Sequence, residues 1–97
     1  MDEIIHQSLR LRIMATLNTL KPCEQMDFTR LRDILEATDG NLGAHLTTLE
    51  KAEYIAVEKL FEARKPRTRV AITDRGRAAF AAHVADLKAL IAMTGGA

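Results

Sequence analysis

The stretch TDGNLGAHLTTLEKA, residues 38–52, decides how the rest of the chain is interpreted. On a helix of about 3.6 residues per turn, Leu42, Leu46 and Leu49 share one narrow stripe. Thr38 is placed to cap this helix, predicted over residues 39–52, because its hydroxyl can accept a hydrogen bond from a free N–H group of the first turn. The opposite side carries only small or polar residues and one basic residue: Gly40, Asn41, Ala44, Thr47, Thr48 and Lys51. Such a face suits a helix that lies close against another molecule.

Size and composition limit the chain to one small domain over residues 1–97. It has 97 residues, of which 47% are hydrophobic and 28% charged, as in globular proteins that bury one modest core. No apolar run approaches the roughly 18 residues of a membrane span, and the N-terminus MDEIIHQS has no apolar signal-peptide segment. We therefore expect a cytoplasmic protein with no membrane partner.

The residues that commonly carry chemistry are few and scattered. Cys23 is the only cysteine, which excludes an internal disulfide, and we interpret it as structural or incidental. Together with His6, His45 and His83 it lacks the close spacing of a metal site. The sequence also contains no nucleophile–base set, P-loop or glycine-rich nucleotide turn. We expect no catalytic residue, no metal, no cofactor and no enzyme activity.

Two helices are predicted before the central one. Apolar residues at three- and four-residue steps predict a first helix from residue 2 to about residue 19. Ile4 and Ile5 lie more than one turn before the others, so either they face a partner or the terminus frays. A second, short helix has Thr29 or Asp27 as its cap and ends just before Thr38. Its apolar positions are Phe28, Leu31, Ile34 and Leu35. Two short helices joined by so tight a turn form the helix-turn-helix pattern.

After the central helix the periodicity changes to that of strands. Residues 54–61 and 68–72 are rich in β-formers and alternate, which predicts a hairpin with a loop over residues 62–67. From Lys59 to Arg69 the chain has five basic residues and one acidic residue, a local net charge of +4 in a chain of +1. A cationic loop beside a helix-turn-helix can reach a phosphate backbone or a narrow minor groove.

A last helix is predicted over residues 74–93, capped by Thr73 and stopped at Thr94, Gly95 and Gly96. It is longer than the core requires, so its distal half should pack on the first helix and on a second subunit. His83 is expected at the helix surface or in that interface. The predicted dimer interface contains Ile4, Ile5, Phe80, Val84, Leu87, Leu90 and Ile91.

The segments LRLRIMATL, MDFTRLRDIL, TDGNLGAHLTTLEKAEYI and RKPRTRVAITDRGRAAF together resemble the MarR/ArsR-type transcriptional regulators, in particular their small single-domain winged-helix members. The resemblance covers about residues 9–80 and implies a mainly α fold with a small β-hairpin, in the order α-α-α-β-wing-β-α. It also implies that the helix over residues 39–52 enters the DNA major groove, that the loop over residues 62–67 is the wing, and that the terminal helices form a two-fold dimer.

Two residues depart from the family's pattern. Glu53 stands where the family usually has glycine after the recognition helix, and a left-handed conformation there would cost about 1 kcal/mol. Gly43 in mid-helix costs roughly 1 kcal/mol against alanine. Gly43 either lets the backbone approach DNA closely or simply loosens the helix.

We interpret the chain as a sequence-specific, duplex-DNA-binding transcriptional regulator, a homodimeric repressor whose recognition helices lie about 34 Å apart on an inverted repeat. Asn41 can pair with adenine, and Thr47 and Thr48 can donate to bases or phosphates. His45 fits either a phosphate contact or packing at the core edge. The predicted DNA contacts are Gly40, Asn41, Ala44, His45, Thr47, Thr48 and Lys51 in the helix, and Arg64, Lys65 and Arg67 in the wing.

Two other functions remain open on sequence grounds. One is a winged-helix protein-interaction module that does not bind DNA, and the other is a metal- or redox-responsive sensor. A small-molecule effector is not indicated by the residues, although the MarR-type resemblance allows an apolar ligand between the first and last helices. As a DNA-binding protein, the chain would associate with the nucleoid.

Overall fold

The structure is a computed structural model that describes residues 1–95. Four helices surround a three-stranded antiparallel sheet whose strand order is β1-β3-β2. The bounds are α1 Ser8–Leu17, β1 Met26–Asp27, α2 Phe28–Leu35, α3 Asp39–Lys51, β2 Ile55–Glu62, β3 Lys65–Ile72 and α4 Asp74–Met93. The predicted winged-helix order is confirmed, and the short strand β1 is an addition to it. Gly96, part of the predicted stop of the last helix, lies outside the described residues.

One apolar core joins the first three helices to the sheet. The predicted stripe of α3, Leu42, Leu46 and Leu49, is buried in this core. The other fully or nearly buried apolar side chains are Ile5, Ile13, Met14, Leu17, Leu31, Leu35, Ile55, Val70 and Ile72. Because its inner face is anchored in this way, α3 holds a fixed outer face toward solvent.

The N-terminal segment differs from the prediction, because α1 begins at Ser8 and not at residue 2. Asp2 Oδ1 accepts hydrogen bonds from the N–H groups of Ile4 and Ile5, at 2.8 and 3.0 Å, and so forms a separate turn. Ile5 is 0% exposed and belongs to the core, and Ile4 packs beside it. The prediction that Ile5 faces a second subunit is therefore wrong, whereas half-buried Ile4 keeps an exposed part and its place in a dimer interface stays a prediction.

His83 is also placed differently from the prediction. It is 1% exposed, although it was expected at the surface of the last helix or in an interface, and its Nδ1 has no hydrogen-bond partner. Burial raises the pKa of the nearby Asp2 carboxyl, but the hydrogen bonds from Tyr54, Ile5 and Ile4 and the charge of His83 outweigh it and lower that pKa overall. The Tyr54 hydroxyl donates to Asp2 Oδ2 at 2.6 Å, which ties the N-terminal turn to the chain between α3 and β2.

The hairpin is longer and its loop shorter than predicted. Strands β2 and β3 pair continuously from Ile55 opposite Ile72 to Glu62 opposite Lys65. Only Ala63 and Arg64 form the turn, both with positive φ (49° and 62°), as a tight two-residue hairpin connection requires. The prediction of a six-residue loop over residues 62–67 is therefore wrong, because residues 62 and 65–67 belong to the strands.

The chain leaves α3 through a left-handed residue, at the position where the resemblance places glycine. Glu53 has φ 64°, its N–H donates to the Glu50 carbonyl at 2.9 Å, and the Tyr54 N–H donates to the Leu49 carbonyl at 3.0 Å. These two bonds form a Schellman motif, which usually has glycine at the left-handed position. Glu53 therefore keeps a conformational strain that glycine would relieve.

Glu53→Gly should stabilise the protein by about 1 kcal/mol, because glycine adopts this conformation without the steric cost of a Cβ. The expected rise in melting temperature, followed by circular dichroism, is roughly 4–8 °C. Glu50→Gly is the matched control: Glu50 is equally an exposed glutamate of this region but lies inside α3, where glycine should lower stability. A lower melting temperature for Glu53→Gly would contradict the assignment of strain.

In the part of the chain from residue 1 to 95, no helix is both long enough and apolar enough to cross a membrane.

Candidate nucleic-acid interface

The outer face of α3 is exposed. Thr38 Oγ1 accepts a hydrogen bond from the Asn41 N–H at 3.2 Å, so the predicted cap is confirmed. Thr48 and His45 are half-buried at the edge of the helix. The remaining residues predicted to bind DNA from this helix are exposed: Gly40, Asn41, Ala44, Thr47 and Lys51.

Both threonine hydroxyls are engaged within the helix. Thr47 Oγ1 donates to the Gly43 carbonyl at 3.0 Å, and Thr48 Oγ1 donates to the Ala44 carbonyl at 3.4 Å. The predicted role of these threonines as donors to DNA therefore requires each hydroxyl to leave its backbone acceptor first. As they stand, the two side chains offer their methyl groups and oxygen lone pairs to a neighbouring molecule.

Arginine side chains link the first three helices to one another. Arg32 of α2 contacts Asp39 in the first turn of α3 at 2.9 Å and Asp33 at 3.2 Å. The hydrogen bonds to Asp39 and Asp33 raise the pKa of Arg32 above its ordinary value. Arg12 of α1 donates to the Leu35 carbonyl at 3.0 Å and so holds the end of α2. Arg32 thus links α2 to the first turn of α3, and Arg12 links α1 to the end of α2.

A cleft of about 350 Å³ separates α3 from the hairpin. Lys59 and Thr68 are cross-strand partners, so they share the hairpin face that looks toward α3. The lining residues are Phe28, Gly43, Leu46, Thr47, Glu50, Val57, Lys59 and Thr68. The outer edge of α3 and one basic side chain of the hairpin thus face the same opening.

The basic residues of the hairpin are divided between its two faces. Arg67 and Arg69 lie on the face away from α3, where each contacts Asp27 of β1 at 3.3 Å. Arg69 also contacts Glu62. Within residues 1–95, Lys59, Arg64 and Lys65 form no ion pair. Of the three predicted wing residues, therefore, Arg64 and Lys65 carry unpaired charge and Arg67 does not.

Two glycines of α3 have no neighbour that would exclude a side chain. A Cβ added at Gly40 or Gly43 would meet no atom within 4 Å, apart from the helix's own backbone. Packing within the chain therefore does not require glycine at either position. Both interpretations of Gly43, close approach to DNA and a looser helix, are compatible with this open space.

Gly76 is a structural requirement that the sequence analysis missed. A Cβ there would lie 2.0 Å from the Tyr54 carbonyl oxygen, which also accepts the Thr73 N–H at 3.1 Å. The first turn of α4 is thus pressed against the chain that enters β2, and this contact sets the hairpin relative to α4. The only signal in the sequence was a glycine in the first turn after the cap Thr73.

The distal half of α4 exposes an apolar surface. Leu90 is 49% exposed and Ile91 55%, whereas Phe80 packs on the core. Nearer the core, a cleft of about 350 Å³ lies between α4 and the end of α1, at the position where the resemblance allowed an effector. Its lining is both polar and apolar: Asn18, Arg77, Phe80, Ala81, Val84, Ala85 and Lys88.

The residues considered for a metal or redox site are not brought together. Across residues 1–95, no three His, Cys, Asp or Glu side chains are grouped so that they could hold a metal ion. Cys23 is exposed in the loop before β1, and His83 is buried in α4.

Helices α2 and α3, with the hairpin and its two-residue wing turn beside them, define a winged helix-turn-helix domain. A family model described as a winged helix DNA-binding domain matches residues 9–91. The chain belongs to this family, and the resemblance to winged-helix regulators is confirmed.

Known proteins resemble the chain over most of its length. A structure from Pyrococcus horikoshii OT3, described as that of a transcriptional regulator homologue, is 32% identical, covers 96% of this chain and 89% of its own, and superimposes with a TM-score of 0.85. An uncharacterized protein of Methanocaldococcus jannaschii is 33% identical over 85 residues, which are 88% of this chain and 89% of that protein. FabT of Streptococcus pneumoniae, solved in complex with DNA, is 18% identical over 94% of this chain and 65% of its own, with a TM-score of 0.59, and shares the fold.

Proposed function

We propose that the protein is a homodimeric transcriptional regulator of the repressor type, which reads an inverted repeat in duplex DNA with α3 and the wing. The observation that carries this proposal is the cleft in which Thr47 of α3 and Lys59 of the hairpin face the same opening. Two elements that border one cleft can contact one duplex at the same time. The family's description as a DNA-binding domain and the DNA complex of the structurally similar FabT support the choice of ligand.

Helix α3 would supply the contacts to bases. Asn41 is exposed in its first turn and can form a bidentate pair with adenine, and Ala44 can pack on a thymine methyl. Lys51 at the end of the helix would meet a phosphate, and half-buried His45 can reach a phosphate only from the edge of the helix. The residues proposed to meet the DNA are small, polar or basic, and the acidic Glu50 of α3 lies beside them in the lining of the cleft.

The wing would supply affinity that depends little on sequence. Within residues 1–95, Arg64 at the turn and Lys65 beside it form no ion pair, and Glu62, which stands across the hairpin from Lys65, pairs with Arg69. Lys59, which was not among the predicted contacts, joins them because it faces the cleft. The proposed wing contacts are therefore Arg64, Lys65 and Lys59. Arg67 is not among them, because it pairs with Asp27.

Salt dependence of binding tests the function directly. Fluorescence anisotropy with a labelled random duplex of about 30 base pairs, at several salt concentrations, should show affinity that falls steeply with salt. Neutralising on the order of 6–10 phosphates per dimer gives a logarithmic slope of about −5 to −9. Affinity that does not change between low and moderate salt would contradict the proposal.

Asp27→Asn should raise affinity for duplex DNA about two- to fivefold at low salt and make the salt dependence steeper. The reason is that Asp27 is the shared acidic partner of Arg67 and Arg69, and its loss leaves more positive charge on the hairpin. Asp86→Asn, an equal change of charge on α4, is the control and should alter affinity less. Unchanged or weaker binding by Asp27→Asn would show that the two arginines do not reach the DNA.

The distal half of α4 is the proposed dimer surface. Val84 and Leu87 are half-buried there, and Leu90 and Ile91 are exposed. Light scattering should give a dimer for the wild type and a monomer for Leu90→Lys/Ile91→Lys. Ile34→Lys places the same charge on an exposed isoleucine of α2 and should leave the dimer intact. A wild-type monomer at micromolar concentration would contradict the dimer. The proposed location is the cytoplasm, in association with the nucleoid.

A further inference from the structure

Phe61 is the one aromatic side chain of the described chain that the fold leaves uncovered. It is 72% exposed, while the other three aromatic residues, Phe28, Tyr54 and Phe80, are half-buried. The strand alternation that buries Ile55 and half-buries Val57 continues to Phe61, but beyond Val57 this face is exposed, at Lys59 as well as at Phe61. A single exposed apolar side chain does not by itself mark a binding surface, so the residues around Phe61 decide its interpretation.

Phe61 lies near the tip of the hairpin, close in sequence to its basic residues. It lies two residues beyond Lys59 on the same face of β2 and is paired across the hairpin with Pro66. The turn residue Arg64 and its neighbour Lys65 follow at the tip. Phe61 is thus an apolar side chain between Lys59, which shares its face of the hairpin, and the turn residue Arg64, whereas Lys65 is the cross-strand partner of Glu62 on the opposite face. The face that holds Phe61 and Lys59 also borders the cleft to α3.

We propose that Phe61 is a DNA-contacting residue that packs against the sugar walls of the minor groove. This inference rests on the proposed function. Minor-groove binding combines basic side chains, which meet the phosphates, with apolar side chains, which meet the sugars and base edges. Lys59 before Phe61 and Arg64 after it would meet the phosphates that line the two walls of the groove. Because this face of the hairpin also borders the cleft to α3, the duplex that contacts α3 would also contact Phe61.

Phe61→Thr tests the inference, because threonine keeps strand propensity and removes the ring. Binding to the random duplex should weaken about tenfold at every salt concentration, since most of the ring is buried on binding. The slope against salt should not change, because no charge is lost. Phe61→Tyr keeps the ring and should bind nearly as the wild type does.

Leu60→Thr is the matched control, since Leu60 is the preceding residue of the same strand and lies on the opposite face, paired with Arg67. It should change affinity less than twofold. An equal loss in Leu60→Thr, or a fall in melting temperature that accounts for the Phe61→Thr effect, would assign the loss to hairpin stability and overturn the inference. A Phe61→Thr protein that binds as the wild type does would also overturn it.

A photocrosslinker separates contact from indirect effects. With p-benzoylphenylalanine placed at position 61, irradiation should attach the protein to duplex DNA, and the same group at position 60 should not. Absence of a crosslink at position 61 in a protein that still binds the duplex would contradict the inference alone. A wild-type protein that binds no duplex would overturn the proposed function as well.

Discussion

Arg64→Ala/Lys65→Ala should weaken binding to duplex DNA about 30-fold at roughly 0.15 M salt and reduce the salt slope by about 2 per subunit. The physical reason is that both side chains lie at the tip of the hairpin without an acidic partner in residues 1–95, so their charge is free to displace counterions from phosphates. Fluorescence anisotropy across a salt series measures both quantities in one experiment.

Two comparisons make this result specific to the wing. Lys21→Ala/Arg75→Ala removes the same charge from the loop after α1 and from the start of α4, and should change affinity by less than threefold. Arg67→Ala should have a smaller effect than either residue at the tip, because Asp27 already pairs with Arg67. Equal losses in the tip variant and in the Lys21 and Arg75 variant would mean that only total charge matters, and the wing would then have no special role.

Gly76→Ala should destabilise the protein more than any other conservative change considered for this chain. The new Cβ would stand 2.0 Å from the Tyr54 carbonyl oxygen, which is backbone and already accepts the Thr73 N–H. Moving α4 away to relieve this overlap should cost about 3 kcal/mol, which lowers the melting temperature by roughly 12–24 °C.

Gly43→Ala is the control for Gly76→Ala, since both remove a helical glycine and only one position is crowded. A Cβ at Gly43 meets no neighbour within 4 Å, so alanine should raise stability by up to about 1 kcal/mol through helix propensity. Opposite shifts of the melting temperature are expected. If Gly76→Ala were neutral, the contact between α4 and Tyr54 would not be as close as described.

The sequence predicts the elements whose ends carry their own signals. Thr38 and Thr73 cap α3 and α4 through their side chains, and both helices lie within one residue of their predicted bounds. Glu53 is left-handed at the position where the resemblance to winged-helix regulators places glycine. These features depend on local hydrogen bonds and helical periodicity, which a single sequence contains.

The errors arise where burial depends on distant parts of the chain. Ile4 and Ile5 fit a helical repeat as well as they fit the observed turn, and only Asp2 and the core beneath them decide between the two. His83 lies on the same face of α4 as Gly76, Phe80 and Leu87 but is polar, so it was expected at the surface or in an interface; the chain covers that face and leaves His83 1% exposed. Periodicity within one element cannot report such coverage.

The wing was mispredicted for a different reason. Pro66 suggested a turn, but it lies in β3 beyond the short segment that β1 covers, where a missing N–H on the open side of a strand is tolerated. The actual turn, Ala63 and Arg64, contains neither glycine nor asparagine, so it has no sequence signature. The pairing of Arg67 with Asp27 followed from β1, a strand of two residues that no alternation pattern could indicate.

The central claim is that α3 and the wing contact one duplex together, and an NMR titration tests it most directly. In ¹⁵N-labelled protein titrated with a random duplex, the amide signals of Asn41 and Ala44 should shift together with those of Arg64 and Lys65. All four should give the same dissociation constant, while signals from the distal half of α4 should stay in place. Shifts confined to either α3 or the wing, or two different dissociation constants for them, would contradict the claim.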